Sequence, residues 1–192
     1  LMEALYGILA AFGLSASAGL NAYIPLLIVG VIAHYTDWIH LNPPFDLLAN
    51  PWVLIVIGIL LIIEMLADKF PAVNHVNDAI QTVIRPAAGA IVFAASANVI
   101  TDLNPIIAIV CGLLVAGSVH TVKAAAIRPA VTATTGGAGN VPVSIAEDIV
   151  ATVLSILSIV LPILVAIFVI LFIVLIVWWL RHRANKKKQQ AG

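Results

Sequence analysis

The sequence predicts an all-α fold, a polytopic membrane helix bundle. Three observations predict it. The 192 residues are 62% hydrophobic and only 9% charged, against about a quarter charged in an ordinary soluble domain. The mean hydropathy is +1.15. Long apolar runs alternate with short turns of Pro, Gly and polar residues. A span takes roughly 20 residues at 1.5 Å each, so the chain has room for about six to eight helices. This composition excludes a soluble globular protein, a disordered chain and a nucleic-acid binder. A single transmembrane domain is expected over 1–180, followed by a basic cytoplasmic tail over 181–192.

The elements follow in order. Ala4 to Ala18 and Ala22 to His34 are apolar runs separated by Gly19, Leu20 and Asn21. Together they are too long for one span and short for two, so a tight hairpin of short tilted or re-entrant helices is expected. The first run lacks the basic flank of a signal peptide and reads as a retained span. Tyr35 to Asn50 reads as a loop, with Asp37, Trp38, His40, Asp46 and the pair Pro43-Pro44. Pro51 opens a third helix that is expected to run to Phe70, where Pro71 stops it. Asn74 to Ile84 reads as a separate short helix, with Asp78, Gln81, Thr82 and Arg85 on one face. Pro86 then opens a fourth span to about Ile100. Pro105 opens a fifth to about Val122, after the turn Thr101-Asp102-Leu103-Asn104. Lys123 to Val143 reads as irregular. Ser144 to Leu161 and Pro162 to Leu180 are the last apolar stretches, with a break at Pro162.

The expected architecture is therefore about seven apolar segments, three hairpins plus a C-terminal anchor helix. Orientation follows from the basic residues, which concentrate in cytoplasmic loops. The tail carries Arg181, Arg183, Lys186, Lys187 and Lys188. Placing it inside, and alternating backwards, brings Lys69, Arg85, Lys123 and Arg128 to the same side. The N-terminus then lies outside. Trp38 and Trp52 fall at the outer interface, Trp178 and Trp179 at the inner one. Ile84-Arg85-Pro86-Ala87 recurs as Ile127-Arg128-Pro129-Ala130, which suggests an internal repeat with both copies at inner turns.

Ionisable side chains inside a bilayer are costly, and their default reading is functional. The candidates are Asn21, Glu64, Asp68, Asp78, Arg85, His120, Lys123, Arg128, Asn140, Glu147 and Asp148. Glu64 and Asp68, four apart, share a helix face. Glu64 lies about 9 Å before the expected helix end, too deep for a capping role. Glu147 and Asp148 sit in the first turn of the sixth segment, where a helix N-terminus favours carboxylates. His120 and Lys123 lie three apart at the inner end of the fifth. The stretch Thr132 to Asn140, with three glycines and three threonines, reads either as an anion-binding turn or as a surface loop. The single cysteine, Cys111, leaves no disulfide within the chain and no Cys metal site. No catalytic motif and no cofactor is assigned.

The segments Gly19-Leu20-Asn21-Ala22-Tyr23-Ile24-Pro25-Leu26-Leu27, Glu64-Met65-Leu66-Ala67-Asp68-Lys69-Phe70-Pro71, Arg85-Pro86-Ala87-Ala88-Gly89 and Glu147-Asp148 together resemble one family. It is an uncharacterised bacterial integral-membrane family, domain of unknown function four-one-two-six. The resemblance runs from about Leu14 to Leu180. It implies a small inner-membrane protein, and no activity, substrate or catalytic residue.

Three functions fit these residues. The first is a small transporter or channel-like protein whose polar, cytoplasm-facing site moves a small ion or polar solute. The second is a membrane-embedded enzyme acting on a phospholipid or polyprenyl phosphate. Arg85, Arg128 and Lys123 would hold its phosphate, and Glu64, Asp68 and Asp148 a divalent metal. The third is a structural or assembly protein. Its small residues Ala87, Ala88, Gly89, Ala94, Ala95 and Ala97 would pack within the chain or against a second copy. The expected partners are the lipid bilayer and the solute, with a homo-oligomer left open.

Overall fold

The computed structural model describes residues 2–69, 71–98 and 103–164, with 167, 170, 171, 174, 175 and 178 beyond them. Among these residues the fold is entirely helical: α1 Met2–Leu20, α2 Tyr23–Tyr35, α3 Pro51–Ala67, α4 Pro71–Asn98, α5 Pro105–Val122, α6 Arg128–Thr135 and α7 Asn140–Val160. The basic tail, Trp179 and the turn residues Ile100, Thr101 and Asp102 lie outside the described residues.

The helix starts are built locally. Asn50 accepts a hydrogen bond from the Trp52 amide, with Pro51 at the first turn. Asn104 does the same for Ile106, with Pro105 behind it. Asn supplies the acceptor an N-terminus lacks, and Pro surrenders an amide that had no partner. Asn21 breaks the first apolar pair. Its Oδ1 accepts from the amides of Tyr23 and Ile24 at 3.1 and 3.2 Å and so starts α2. Helix α7 ends at Val160, and residues 162–164 are helical again, which places the break at Leu161, just before Pro162.

Four expectations are corrected. Helix α3 stops at Ala67, with Asp68 as its C-cap, short of Phe70. The separate helix expected over Asn74–Ile84 is the first half of the 28-residue α4, which carries Pro86 in its interior. Proline there removes one hydrogen bond and crowds the carbonyl four residues back. Packing against α1 and α5 holds the helix together across that point, as neighbouring helices do in membranes. The stretch Lys123–Val143, expected to be irregular, is mostly helix. A π turn over Lys123–Ile127 joins α5 to α6, and the Arg128 amide reaches back five residues to the Lys123 carbonyl. The wider turn accommodates Pro129, which has no amide to give. Helix α7 accordingly begins at Asn140 and not at Ser144. Neither Arg-Pro pair lies at a turn: Arg85-Pro86 is mid-helix, and Arg128-Pro129 lies inside a continuous helical rod.

Helix α1 is the hub, packed on α4, α5 and α7, while α2 pairs with α3. Close approach depends on small residues. A Cβ on Gly89 would collide with the Cβ of Ala116, and one on Gly112 with the Gly89 carbonyl. Ser15 locks this junction, donating to the Gly112 carbonyl at 2.8 Å. Among the described residues, three helices are long and apolar enough to cross a membrane: Val76–Ala97, Pro105–Thr135 and Asn140–Val160. Helix α2, with 13 residues, reaches only about 20 Å, short of a ~30 Å hydrocarbon core. The burial pattern inverts that of a soluble protein. Ile55, Ile62, Ile106 and Leu114 are more than half exposed, whereas Arg85, Lys123 and Glu64 are among the largest fully buried side chains. An apolar solvent calls for that arrangement.

Candidate functional site

The end of α1, the end of α3, the first half of α4, the π turn and the first half of α7 meet around one buried group of charges. Glu64 and Arg85 form its driest part, with side chains 1% and 0% exposed. Arg85 Nη2 and Nε donate to Glu64 Oε1 at 2.9 and 3.2 Å. Its Nη1 lies 3.3 Å from His120 Nδ1. Guanidinium only donates, so Nδ1 accepts and the ring hydrogen sits on Nε2. That atom is 3.2 Å from Thr82 Oγ1, whose own hydrogen goes to the Asp78 carbonyl. His120, on α5, therefore bridges Arg85 and Thr82 of α4 as a neutral ring.

Asp68 is the hub. Its Oδ2 lies 2.8 Å from Arg128 Nη2, 3.6 Å from Lys123 Nζ and 3.7 Å from Arg85 Nη2. Asn77 donates to its Oδ1 at 2.7 Å, and Ser144 approaches Oδ2 at 3.4 Å. One carboxylate thus collects three cations from two helical rods. Lys123 also reaches Glu147 Oε2 at 2.8 Å and donates to the Leu20 carbonyl at 3.1 Å. That carbonyl is one of those left open where α1 ends. The π turn sets Lys123 and Arg128 five residues apart, and both point at the same two acids, Asp68 and Glu147.

Asp148 is peripheral. Its Oδ1 accepts from Asn21 Nδ2 at 2.9 Å, and Lys69 Nζ is 4.0 Å from Oδ2. Asp78 is at the rim, 23% exposed and 3.9 Å from Arg128. Eight of the eleven candidate residues therefore join one connected network, and Asn21 and Asp148 form a separate group with Lys69 beside it. Asn140 joins neither: it exchanges hydrogen bonds with Thr132 on the far side of the α6–α7 turn. That turn is no anion cradle. Thr134 and Thr135 donate to carbonyls of α6, and the Gly139 amide is taken by Thr135. Gly136 and Gly137 serve the left-handed backbone there, at φ 62° and 94°.

Sequence reading left out Asn77, Gln81, Thr82, Lys69 and Ser144 as site members. Asn77, Gln81 and Arg85 recur every four residues and are all buried; that spacing was the available signal. The network also leaves acceptors over. Glu64 Oε2, Asp78 Oδ1, Gln81 Oε1, Glu147 Oε1 and Asp148 Oδ2 are buried without a hydrogen-bond donor. Among the described residues, no three His, Cys, Asp or Glu side chains converge as a metal site. The two cavities of note lie at the opposite end of α1. One, of about 600 Å³, is lined by Tyr6, Ile159, Pro162 and Ile167. The other, of about 140 Å³, lies between Tyr6, Leu14, Trp38, Ser96 and Ile159.

The family model named domain of unknown function 4126 matches residues 8–182. The chain belongs to that family. The match takes in every residue of the charged network, together with Asn21 and Asp148. No curated protein and no solved structure matches the chain.

Proposed function

We propose that the chain is a small transporter or channel-like protein of the bacterial inner membrane, and that it moves a small cation or proton through the buried charged network. The observation behind this reading is what remains after pairing. Five carboxylates, Glu64, Asp68, Asp78, Glu147 and Asp148, stand against four bases, Lys69, Arg85, Lys123 and Arg128. One negative charge is left over. Among the described residues, five buried acceptor oxygens have no hydrogen-bond donor. Each such atom costs about 1–3 kcal/mol, and a proton or a cation relieves it, whereas an anion does not. The short α2 and the breaks at Asn21 and Leu161 support the same reading, because discontinuous helices in carriers surround ion sites. With seven segments and the basic tail inside, the network opens towards the cytoplasm.

The enzymatic alternative needs a carboxylate metal set, and the described geometry lends it no support. The assembly alternative rested on small residues. Gly89 is used up against α5, and Ala88, Ala94, Ala95 and Ala97 are buried within the chain. The test is cation and proton flux into proteoliposomes, wild type beside Glu64→Gln. The amide keeps the size and an acceptor for Arg85 while removing the charge. Flux lost in a folded variant upholds the proposal. Equal flux in both proteins, or none in folded wild type, overturns it.

A further inference from the structure

Resting on the transport reading, we infer that the ion is a proton and that it reaches the network along the seam between α1 and α7. These two helices run antiparallel. The seam joins the cavity end of the molecule to Asp148. Ser144, Asp148, Ala151, Ser155 and Ser158 recur at spacings of three and four, so they form one face of α7. All five are buried, and α7 packs on α1. The Ser17 and Ser155 hydroxyls are 2.7 Å apart. Ser17 also donates to the Ala151 carbonyl at 2.8 Å. Ser158 follows one turn on, and its neighbour Ile159 lines both cavities. At the other end Asp148 is held by Asn21, the residue that breaks α1 from α2.

The packing selects the ion. Leu14, Ala18 and Ala151 in the seam are at most 1% exposed, and Ser17, Ser155 and Ser158 are 0% exposed. A metal cation would need several oxygen ligands at once and the room to carry them. A proton needs only successive hydroxyls that both accept and donate. The Ser17 hydroxyl has two acceptors in reach, Ala151 O and Ser155 Oγ. Its hydrogen can turn from one to the other. At the Ser17–Ser155 pair, one oxygen takes a proton from the cavity side and the other releases its own towards the network. The last proton lands on the Asp148 carboxylate, and hydroxyl rotation resets the line. The steps from Ser158 to Ser155 and from Ser155 to Asp148 each need a single water admitted transiently into the packed seam, with Ala151 the smallest side chain beside the second. No electron moves, and no co-reactant is required.

The experiment uses the full chain in proteoliposomes with an internal pH dye and, in parallel, Na⁺ and K⁺ indicators, under an imposed membrane potential. Wild type is compared with Ser17→Ala and Ser155→Ala, which lie on opposite helices, and with Ser118→Ala. Ser118 is exposed on α5 and bonds only its own helix. Ser158→Ala is the third seam variant; its hydroxyl also bonds only its own helix, so its loss leaves the inter-helix contacts intact. The expected result is proton flux in wild type and Ser118→Ala. Flux falls by about tenfold or more in folded seam variants, the effect of roughly 1.4 kcal/mol of added barrier. Proton flux that is the same in all variants overturns the route. Wild type that carries Na⁺ or K⁺ but no protons overturns it too, while leaving the transport reading standing. Wild type that carries no ion removes both.

Discussion

Replacing Arg85 by Met separates what the charged network does for the fold from what it does for function. Arg85 supplies both hydrogen bonds that Glu64 receives, at 2.9 and 3.2 Å, and the two side chains are 0% and 1% exposed. Without Arg85, Glu64 is a buried carboxylate with no donor at either oxygen. Asp68 is spared, because Arg128 and Lys123 remain at 2.8 and 3.6 Å. Removing one partner of a buried pair costs about 3–5 kcal/mol. For a chain of this size that lowers Tm by about 6–20 °C. The double variant Glu64→Leu/Arg85→Met removes both charges. It is expected to recover to within about 2 kcal/mol of wild type, since apolar groups replace buried pairs at little net cost. The assay is thermal unfolding in detergent by circular dichroism, followed by flux in proteoliposomes. A single variant melting within about 2 °C of wild type would mean that the pair is solvated, and would refute the burial argument. A stable double variant that still transports like wild type would make the pair purely structural.

Three further outcomes follow. Asp68→Asn disturbs three cations at once and is expected to cost about 3–5 kcal/mol. Asp78→Asn, at the rim and 3.9 Å from its partner, costs about 1 kcal/mol or less; denaturant titration of the two variants ranks them. Asn21→Ala removes the acceptor for two α2 amides and the donor to Asp148, for a loss of about 1–2 kcal/mol. Among glycines, Gly58→Ala meets open space and gains about 0.5–1 kcal/mol in mid-helix. Gly89→Ala runs into Ala116 and lowers the yield of monodisperse protein, measured by size-exclusion chromatography.

The starts of α3 and α5 were legible because Asn-Pro is a local signal that acts within one turn. The break before Pro162 was legible for a related reason: proline ended a run already too long for one span. The same rule failed at Pro86 and Pro129. There the lost hydrogen bond is outweighed by contacts from α1 and α5 or absorbed by a π turn, and neither is visible in four residues of sequence. The site residues were legible one by one, because a charge in an apolar run is costly wherever it falls. Their partners were not. Asp68 and Arg128 lie 60 positions apart, and only the tertiary fold brings them together. Asn140 looked like a member because it closes the Gly- and Thr-rich stretch that reads as an anion-binding turn. Its neighbours Thr132 and Thr135 instead fold the turn back on itself.

A buried network of this kind is a poor way to hold helices together. Apolar residues of the same volume do so at equal or lower cost, and α1, α4 and α5 already interlock through Gly89, Gly112, Ala116 and Ser15. What an apolar core does not provide is a set of charges with nearly equal pairings. Asp68 Oδ2 has three cations within 3.7 Å, and Glu147 Oε2 is shared between Lys123 at 2.8 Å and Arg128 at 3.5 Å. Protonating one carboxylate frees a cation to turn to another acceptor, and the unbonded oxygens of Glu64 and Glu147 are there to receive it. The π turn, one residue looser than an α-helix, carries Lys123 at its first position and ends immediately before Arg128, so the two bases most involved in that exchange flank its one irregular turn. If that exchange couples to transport, straightening the turn by deleting Ala125 will uncouple it. Deleting one residue leaves Arg128 four positions after Lys123 in an α-helix, about 40° round from it, so both bases still face the acids and only the looseness of the turn is lost. Flux is then lost while the helical signal and oligomeric state persist; retention of flux would remove the π turn from the mechanism.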